Sequence, residues 1–433
     1  MVRRAGMSMR IAYLTEWFEP EPNIIKGTSF VAALQAAGHE VTVITGFPNY
    51  PLGRIYPGYR LRPFCHEEVG GVRIVRLPLY PSHDGSAVRR SLTFLSFFLS
   101  ALIYLVLRRS RFDLAYVYHP PITVGLAAAL ARLPFVLDVQ DLWPDTVVAT
   151  DLRGASRLTR PLAACCRFVY ERALAICAQS DGIERALVER GVHDDKITVI
   201  RNWADAEFQD IPQASVKRRA FTLVYGGNLG RAQQLGHLVD AAAILLAQRP
   251  NIRIELFGSG VDEIELREKA ERKKLTNVRF HGRIPADEML RAFADADALL
   301  MHLGPDPLFS ITIPSKTQQY LALGRPIVAA VNGEAGQLLR ASGAAIVVPP
   351  ADPPALARAI AQMADISEAR RAIMGQAGAQ FYGEHFSFAH GIGRTLALLD
   401  EAYEQVAVRT HRRGRTPAAG APHFHRLSVE PSP

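Results

Sequence analysis

Short apolar and β-branched runs alternate with longer helical stretches along most of the first half of the chain. The run "IAYLT" at 11–15 predicts a strand, and the stretch from Thr28 to Gly38 predicts a helix that stops at the glycine. Further strands are predicted at 40–45, 72–77, 114–118, 135–139, 174–178 and 197–200, and further helices at 88–109, 122–132, 156–172 and 181–190. Strands that alternate with helices form βαβ units, which predict a parallel sheet covered on both faces.

The same alternation begins again in the second half, with "FTLVYGG" at 221–227. Strands follow near 252–257, 278–281, 298–301, 327–331 and 345–348, with helical stretches between them. The segment 202–219 holds Pro212 and a basic cluster, so we place the joint between two domains there. Two α/β halves in tandem typically bind a ligand across a shared cleft, where the carboxyl ends of their strands converge.

The formal net charge of +8 lies mostly at the two ends of the chain. Residues 1–10 carry three arginines, and residues 409–433 carry five arginines and one glutamate. The near-neutral body shows no basic stripe with interleaved aromatic residues, so the sequence predicts no nucleic-acid partner. The hydrophobic period disappears in the basic tail, which predicts disorder there.

The cysteines and the N-terminal segment indicate the cellular compartment in which the protein works. The four cysteines form no CxxC pair, which is typical of free thiols in a reducing cytosol. The first residues, "MVRRAGMSMR", contain no apolar run of signal-peptide length, so we expect no export.

Glycine-rich stretches mark candidate phosphate-binding loops. Gly27 stands at the start of the first predicted helix, where backbone N–H groups and the helix dipole favour an anion; an ordinary turn glycine is the alternative. "LVYGGNLGRAQQ" at 223–234 places Gly227 after a strand and Arg231 at the expected start of a helix. A guanidinium there can pair with a diphosphate. "ELFGSG" at 255–260 places Gly258 at the end of another strand. This glycine would lie either in a turn beside a nucleotide base or in a plain strand-to-helix turn.

Polar residues follow two predicted strands of the first half. His119 ends one strand in "YVYHPP", and Asp141 lies in the loop "DLWPD" beyond the next. Side chains at the carboxyl ends of parallel strands face the cleft. A lone histidine is as often structural as functional. Asp141 is a candidate acceptor contact or charge stabiliser.

The pair Asp295-x-Asp297 resembles the DxD of metal-dependent sugar transferases. Here the first aspartate ends a helix and the second opens a strand, so we interpret the pair as a solvated turn. No Cys/His cluster accompanies it, and the sequence predicts no metal site.

Residues 91–107, "SLTFLSFFLSALIYLVL", carry no charge and are flanked by Arg89, Arg90, Arg108 and Arg109. One interpretation is a crossover helix with Leu95, Phe98, Leu102 and Leu105 in the core. The other is a helix that dips into the membrane interface, with the arginines at the headgroups.

Several of these pieces together resemble the family-4 glycosyltransferases of GT-B fold, especially bacterial enzymes that build O-antigen, capsule or exopolysaccharide. The pieces are "AAGHEVTVIT", "DLWPD", "VIRNWADAEF", "GGNLG", "FGSG", "VRFHGRIPADEM" and "PSKTQQYLALGRPIV". They extend over nearly all of residues 9–405.

The resemblance implies an α/β fold in which two Rossmann-like domains face each other across a cleft. Residues 9–203 would bind the acceptor and residues 204–385 the nucleotide sugar. Residues 386–406 would form a helix that returns to the N-terminal domain, and residues 407–433 would be the disordered basic tail.

The resemblance also implies site residues. The catalytic set would be His119, Asp141, Arg231 and Lys316, and the donor-binding set Gly27, Gly226, Gly227, Asn228, Gly258, Pro314, Ser315 and Gln319. The family's EX7E motif grips the ribose with its second glutamate, and that position is Gln319 here. The first glutamate would fall at Ile311, so the sequence departs from the motif at both ends.

The implied reaction is transfer with retention from a nucleotide-diphosphate sugar, UDP favoured over GDP, to a lipid-linked saccharide. The resemblance implies no metal and no cofactor, and a peripheral position on the cytoplasmic face of the plasma membrane. Two alternatives stay open. A nucleotide-sugar 2-epimerase of similar architecture would turn over without acceptor, and a sugar-nucleotide-binding protein without catalysis would not hydrolyse the donor.

Overall fold

The structure is a computed structural model that describes residues 8–22, 25–83, 87–146, 155–209 and 220–414. Its first half forms an eight-stranded sheet in the order β3-β4-β2-β1-β5-β6-β7-β8. The strands are β1 (Arg10–Leu14), β2 (Glu40–Gly46), β3 (Cys65–Val69), β4 (Val72–Leu77), β5 (Leu114–His119), β6 (Phe135–Val139), β7 (Ala175–Ala178) and β8 (Ile197–Val199). Seven of them run parallel, as the alternating pattern predicts.

The edge strand β3 is the exception to the predicted parallel sheet, because it pairs antiparallel with β4. Gly70 and Gly71 join the two strands with φ angles of 58° and 78°. A two-residue hairpin turn needs positive φ at both positions, which glycine adopts at no steric cost. The segment "CHEEV" lacks an apolar alternation because it lies at an exposed edge, so the pattern did not predict it.

Five helices cover the faces of this sheet in the described residues. They are α1 (Thr28–Ala36), α2 (Ala87–Arg108), α3 (Ile122–Leu130), α4 (Ala155–Arg172) and α5 (Asp181–Glu189). The core under α2 and α3 includes Phe97, Ala101 and Leu105, all fully buried. One-turn 3-10 helices lie at Arg109–Arg111, Asp194–Lys196 and Ala206–Phe208.

The second half forms a separate parallel sheet of six strands in the order β11-β10-β9-β12-β13-β14. The strands are β9 (Thr222–Gly226), β10 (Arg253–Phe257), β11 (Val278–Gly282), β12 (Ala298–His302), β13 (Ile327–Ala330) and β14 (Ala345–Val348). The helices are α6 (Gly236–Gln248), α7 (Glu263–Arg272), α8 (Ala286–Ala294), α9 (Pro307–Ile311), α10 (Ser315–Ala322), α11 (Gly333–Ala341) and α12 (Pro353–Asp365).

Two long C-terminal helices tie the halves together. Helix α13 (Glu368–His385) packs on α10 of the second half, and α14 (Phe388–Gly414) returns to the first. Leu399 and Ala402 of α14 join the core that holds Tyr13, and Phe388 packs edge-on against Trp203 with ring centroids 5.1 Å apart. The predicted two-domain α/β fold with a returning helix is therefore confirmed.

The predicted start of the disordered tail at residue 407 is too early, because α14 continues to Gly414. The remaining tail, 415–433, lies outside the described residues.

Candidate active site

The two sheets face each other through the carboxyl ends of their strands. The hydroxyl of Ser180 donates to the carbonyl oxygen of Ile311 over 2.6 Å. Glu334 of the second half accepts from the amides of Asp181 (3.1 Å) and Gly182 (2.7 Å) at the start of α5. A Cβ at Gly182 would lie 2.6 Å from the Cα of Ile311, so glycine permits this close approach. Ile311 thus occupies the domain contact through its backbone.

A cavity of about 960 Å³ lies between the halves. Its N-terminal wall carries the aromatic side chains of Trp17, Tyr50, Phe94 and Trp143. The polar residues of that wall follow strand ends, as the parallel topology requires; they include Thr15, Glu16, Gln140, Asp141, Gln179 and Asn202. The C-terminal domain contributes Ile313, Ser315 and Gln318.

His119 and Asp141 both lie on the N-terminal side of this region. The ring of His119 is fully buried at the end of β5 and packs edge-on against Trp143, with centroids 5.7 Å apart. Neither ring nitrogen has a hydrogen-bond partner among the described residues, and burial lowers the pKa of the imidazole to about 4. Asp141 lines the cavity itself, and burial raises the pKa of its carboxyl. Because its pKa is lowered, the imidazole of His119 is uncharged at neutral pH.

The predicted glycines Gly227 and Gly258 and the cation of Lys316 are brought together at the second sheet. Gly227 and Gly258 have φ angles of 140° and 125°, and a Cβ at Gly258 would overlap the carbonyl oxygen of Gly227. A Cβ at Gly227 would in turn meet Lys316 Nζ. Both glycines are therefore required by close backbone packing beside an ammonium group.

Lys316 stands in the first turn of α10 and is partly buried. Its Nζ lies 5.2 Å from the centroid of the Tyr225 ring, and burial lowers the pKa of the ammonium to about 8. Within the described part of the chain, no carboxylate lies within ion-pair distance of this group. A partly buried cation without a counter-charge is destabilised, and a bound anion would stabilise it.

The remaining predicted residues of α10 stand around Lys316. Pro314 precedes the helix, and no side chain caps it. Ser315 is exposed and lines the cavity, and Gln319 is partly buried on the same helix. The helix start thus presents a cation and backbone amides together, which is the arrangement that binds phosphate at helix N-termini.

Two other predicted donor residues, Gly226 and Asn228, have structural roles, and a third, Gly27, lies near the cavity. Gly226 is buried in β9, where a Cβ would strike the ring of Phe293. The carbonyl of Asn228 accepts from the hydroxyl of Tyr225 over 2.7 Å, which fixes the loop. Gly27 precedes α1 and is buried; its neighbour Ile25 lines the cavity. Contact of these three residues with a donor stays a prediction.

The predicted position of Arg231 at the start of a helix is wrong. Helix α6 begins at Gly236, so Arg231 lies in an exposed turn several residues earlier. Gln233 and Gln234 occupy the intervening loop, where the carbonyl of Gln233 accepts from His302 Nδ1 over 2.7 Å. A diphosphate role for Arg231 stays a prediction, without support from a helix dipole.

A buried ion pair lies next to the polar residues of the N-terminal wall and positions two of them. Lys26 and Asp138 are both fully buried and pair with each other. The hydroxyl of Tyr116 donates to the same carboxylate over 2.8 Å, and Gln140 donates to its other oxygen over 2.6 Å. Gln140 also accepts from Asn202 over 2.6 Å, so the pair holds two cavity residues in place.

The pair Asp295 and Asp297 is not simply a solvated turn, and that interpretation is wrong for Asp297. Its carboxylate accepts from the amide of Thr222 over 2.9 Å and pairs with Arg371 over 2.9 Å. The aspartate therefore fixes the start of β9. Among the described residues, no group of three or more His, Cys, Asp or Glu side chains is placed to hold a metal ion.

Glu16 and Gln318 are cavity residues that the sequence did not select. Glu16 directly follows β1, so the strand-end rule that selected His119 applies to it equally. Gln318 is buried, and its Oε1 has no hydrogen-bond partner among the described residues. The resemblance to the EX7E motif points to Gln319 instead.

Family models match both halves of the chain. The model of the glycosyl transferase 4-like domain matches residues 28–203, and that of the glycosyl transferases group 1 matches residues 220–365. Together they cover the second sheet and all of the first except β1, which precedes the matched residues together with Glu16.

Two curated bacterial proteins are similar in sequence. The putative colanic acid biosynthesis glycosyl transferase WcaI of Escherichia coli is 28% identical over 76% of this chain and 85% of its own length. The probable glycosyltransferase WbjE of Pseudomonas aeruginosa is 28% identical over 54% of this chain and 60% of its own length.

Solved structures share the fold. Anabaena HepE, solved with UDP and glucose, superposes with a TM-score of 0.63 at 16% identity, over 90% of this chain and 99% of its own. The sucrose-phosphate synthase of Thermosynechococcus elongatus gives a TM-score of 0.67 at 18% identity, over 92% and 100%.

Proposed function

The chain belongs to the family-4 glycosyltransferases of GT-B fold, and we propose that it moves a sugar from a nucleotide-diphosphate sugar to a lipid-linked glycan acceptor. The proposed pathway is cell-surface polysaccharide synthesis, of the O-antigen or exopolysaccharide type. The curated relatives, which are named as glycosyltransferases, one of them of colanic acid biosynthesis, support this assignment. UDP is the proposed nucleotide rather than GDP, because the structurally similar HepE was solved with UDP.

One observation carries the donor half of the proposal. Lys316 presents a partly buried ammonium without a carboxylate partner, at an uncapped helix start and against Gly227. A diphosphate would supply the missing counter-charge, and the glycine would let it approach the backbone. Gln319, on the same helix, would bond the ribose hydroxyls through its amide, without the charge assistance of a glutamate.

The proposed mechanism is transfer on one face of the sugar, with retention. The leaving phosphate takes the proton of the acceptor hydroxyl while Lys316 and Arg231 stabilise the charge that develops on the diphosphate. The imidazole of His119 is neutral at pH 7, so it would serve as a hydrogen-bonding group rather than as a cation. Asp141 lines the acceptor side of the cavity. In this scheme the chain's own cations provide the charge stabilisation, and neither a metal nor a cofactor takes part.

A donor screen tests this half of the proposal. The protein is heated with a panel of UDP- and GDP-sugars, and those that raise its melting temperature are incubated with lipid-linked saccharides. The proposal expects stabilisation by a UDP-sugar and a product that retains the donor's anomeric configuration. Stabilisation by GDP-sugars alone would overturn the choice of nucleotide, and inverted product would overturn the mechanism.

The acceptor half rests on the outer face of α2. Six large apolar side chains, 45–71% exposed, repeat there at helical spacing along one stripe: Val88, Leu92, Leu95, Leu99, Ile103 and Val106. The segment Val88–Arg111 is long and apolar enough to cross a membrane by length and composition, and only 22% of its most apolar window is buried. Phe98 and Leu105 pack inward, so the helix is both a core element and an exposed apolar surface.

We propose that this stripe lies in the membrane interface on the cytoplasmic side. Arg89, Arg108 and Arg109 are exposed at its ends, where each cation near anionic headgroups contributes about 1 kcal/mol. Leu95 belongs to the stripe and also lines the cavity. The surface therefore leads from the bilayer, where a lipid-linked acceptor resides, to the cleft.

Sedimentation with anionic vesicles at low salt tests the membrane contact. Wild type should pellet, and exchanging Arg89, Arg90, Arg108 and Arg109 for Gln should weaken pelleting with the melting temperature unchanged. The matched control exchanges four exposed arginines of the C-terminal domain, Arg253, Arg272, Arg283 and Arg291. Equal binding by the two variants would remove the membrane role of α2 and leave the transferase assignment standing.

A further inference from the structure

Four residues that line the cavity have buried side-chain oxygens without a hydrogen-bond partner within the described part of the chain. These oxygens are both carboxyl oxygens of Glu16, Thr123 Oγ1, Asn202 Oδ1 and Gln318 Oε1. Buried polar atoms in folded proteins are nearly always paired, because an unpaired group loses its hydration without compensation. Such a set on the walls of one cavity indicates a ligand that bears several hydroxyl groups.

Glu16 stands out among these groups because both of its carboxyl oxygens lack a hydrogen-bond partner among the described residues. Its side chain is fully buried, although it borders the cavity. Its backbone carbonyl accepts from the amide of Gly46 (3.1 Å) and the hydroxyl of Thr45 (3.1 Å), which anchors the residue at the end of β1. The carboxyl group therefore keeps a fixed position without using its own hydrogen-bonding capacity.

Burial and the nearby Glu21 favour the neutral form of Glu16, and Arg90 opposes it. Burial raises the pKa of the Glu16 carboxyl well above the ordinary value, the nearby Glu21 raises it further, and Arg90 lowers it. Glu21 accepts from the amides of Asn49 and Tyr50, both over 2.8 Å, so it is held close by. The other titratable groups that line the cavity in the described part of the chain are Arg90, His83, Asp141, Cys165, Tyr13, Tyr50 and Tyr118. An uncharged acid both donates and accepts a hydrogen bond.

Aromatic rings surround the same region. Trp17 lies with its ring centroid 5.8 Å from that of Tyr50 and 6.5 Å from that of Phe94, and Phe94 contacts Trp143 at 5.8 Å. Aromatic faces with a few directed polar groups suit a ring that carries C–H groups on its face and hydroxyls at its edge. A saccharide has this combination.

We propose that Glu16 hydrogen-bonds the terminal sugar of the acceptor, and that this sugar is a neutral hexose rather than a uronic acid. The inference rests on the proposed function, whose acceptor it specifies. The acid would accept from one hydroxyl and donate to a second oxygen, with Thr123 and Asn202 as further partners. A sugar carboxylate would instead lose its hydration in this buried site, near the acidic Glu21, with Arg90 as the only arginine or lysine among the described residues that line the cavity.

A binding experiment without donor tests this inference. Octyl β-glucoside and octyl β-glucuronide, below their micelle concentrations, are titrated into wild type, Glu16→Gln and Glu16→Met. Trp17 and Trp143 line the cavity, so tryptophan fluorescence reports occupancy. Wild type and Glu16→Gln should bind the glucoside alike, and Glu16→Met about tenfold more weakly, because the amide keeps a donor and an acceptor and the thioether has no donor. The glucuronide should bind wild type about tenfold more weakly than the glucoside.

The pH dependence separates a binding role from a structural one. Binding that needs the protonated acid is strongest at low pH and is lost as pH rises through the raised pKa of Glu16. Glu16→Gln should show no such loss. Both proteins contain His83 and Asp141, so a pH dependence caused by those two groups would appear equally in wild type and in the variant. Absence of glucoside binding by wild type, equal binding by Glu16→Met, or preference for the glucuronide would overturn the inference. Failure of the proposed function would show elsewhere, as absence of donor turnover.

Discussion

Replacing Lys316 with alanine removes the cation that the structure places against the glycine loop. Deleting one group that stabilises developing negative charge in an enzyme costs about 2.7–4 kcal/mol of activation free energy. That corresponds to a loss of about 100- to 1,000-fold in turnover. The same bound of at least about 100-fold applies to Arg231→Ala if that exposed arginine also reaches the diphosphate. We therefore expect Lys316→Ala to retain its fold and lose most of its activity.

The pKa of Lys316 gives the prediction a second readout. Burial lowers the pKa of the ammonium to about 8 in the unliganded protein. An anionic donor binds the charged form, so donor affinity should be complete below that pH and fall about tenfold per pH unit above it. Lys316→Arg keeps its charge over this range because a guanidinium stays protonated, so its affinity should not fall with pH.

The assay is the initial rate of nucleotide release with a lipid-linked acceptor, with donor dissociation constants measured by calorimetry from pH 7 to pH 9. The unfolding temperature of each variant serves as the control for folding. Near-normal rates in both Lys316→Ala and Arg231→Ala would refute the diphosphate assignment. Identical pH profiles for wild type and Lys316→Arg would show that another group titrates.

Two further predictions concern the stability that the buried ion pair of Lys26 and Asp138 provides and the metal requirement of the activity. Asp138→Asn leaves the buried Lys26 without its ion-pair partner and should lower the free energy of unfolding by about 3–5 kcal/mol, measured by urea denaturation. As a control, breaking the exposed ion pair of Arg73 and Glu40 should change the free energy of unfolding little. Activity should persist in excess chelator, because Asp297 is engaged by Thr222 and Arg371; loss of activity that manganese or magnesium restores would contradict this.

The order of elements could be predicted from the sequence because both sheets are buried. Strands such as "IAYLT" and "FTLVYGG" must be apolar when helices cover both faces, and the pattern shows this directly. The edge strand Cys65–Val69 escaped prediction because its exposed side chains carry no such signal. The end of α14 was misplaced because its last turns are rich in arginine and histidine and show no apolar period in the sequence.

The candidate site was predictable where the backbone dictates the residue. Gly227 and Gly258 require positive φ, and Lys316 follows a proline at a helix start. Glu16 gave no motif signal, because its importance depends on which side chains surround it in three dimensions. Arg231 was misplaced because the turn before α6 contains no residue type that marks a helix start.

The most direct test of the proposed function follows single sugars from donor to acceptor. Wild type is incubated with a UDP-sugar and lipid-linked saccharides, and the lipid fraction is analysed by mass spectrometry and by NMR of the new linkage. The account predicts a gain of one sugar residue with the donor's anomeric configuration, and little gain with Lys316→Ala. Conversion of the UDP-sugar to its epimer without acceptor, or binding without any turnover, would contradict it.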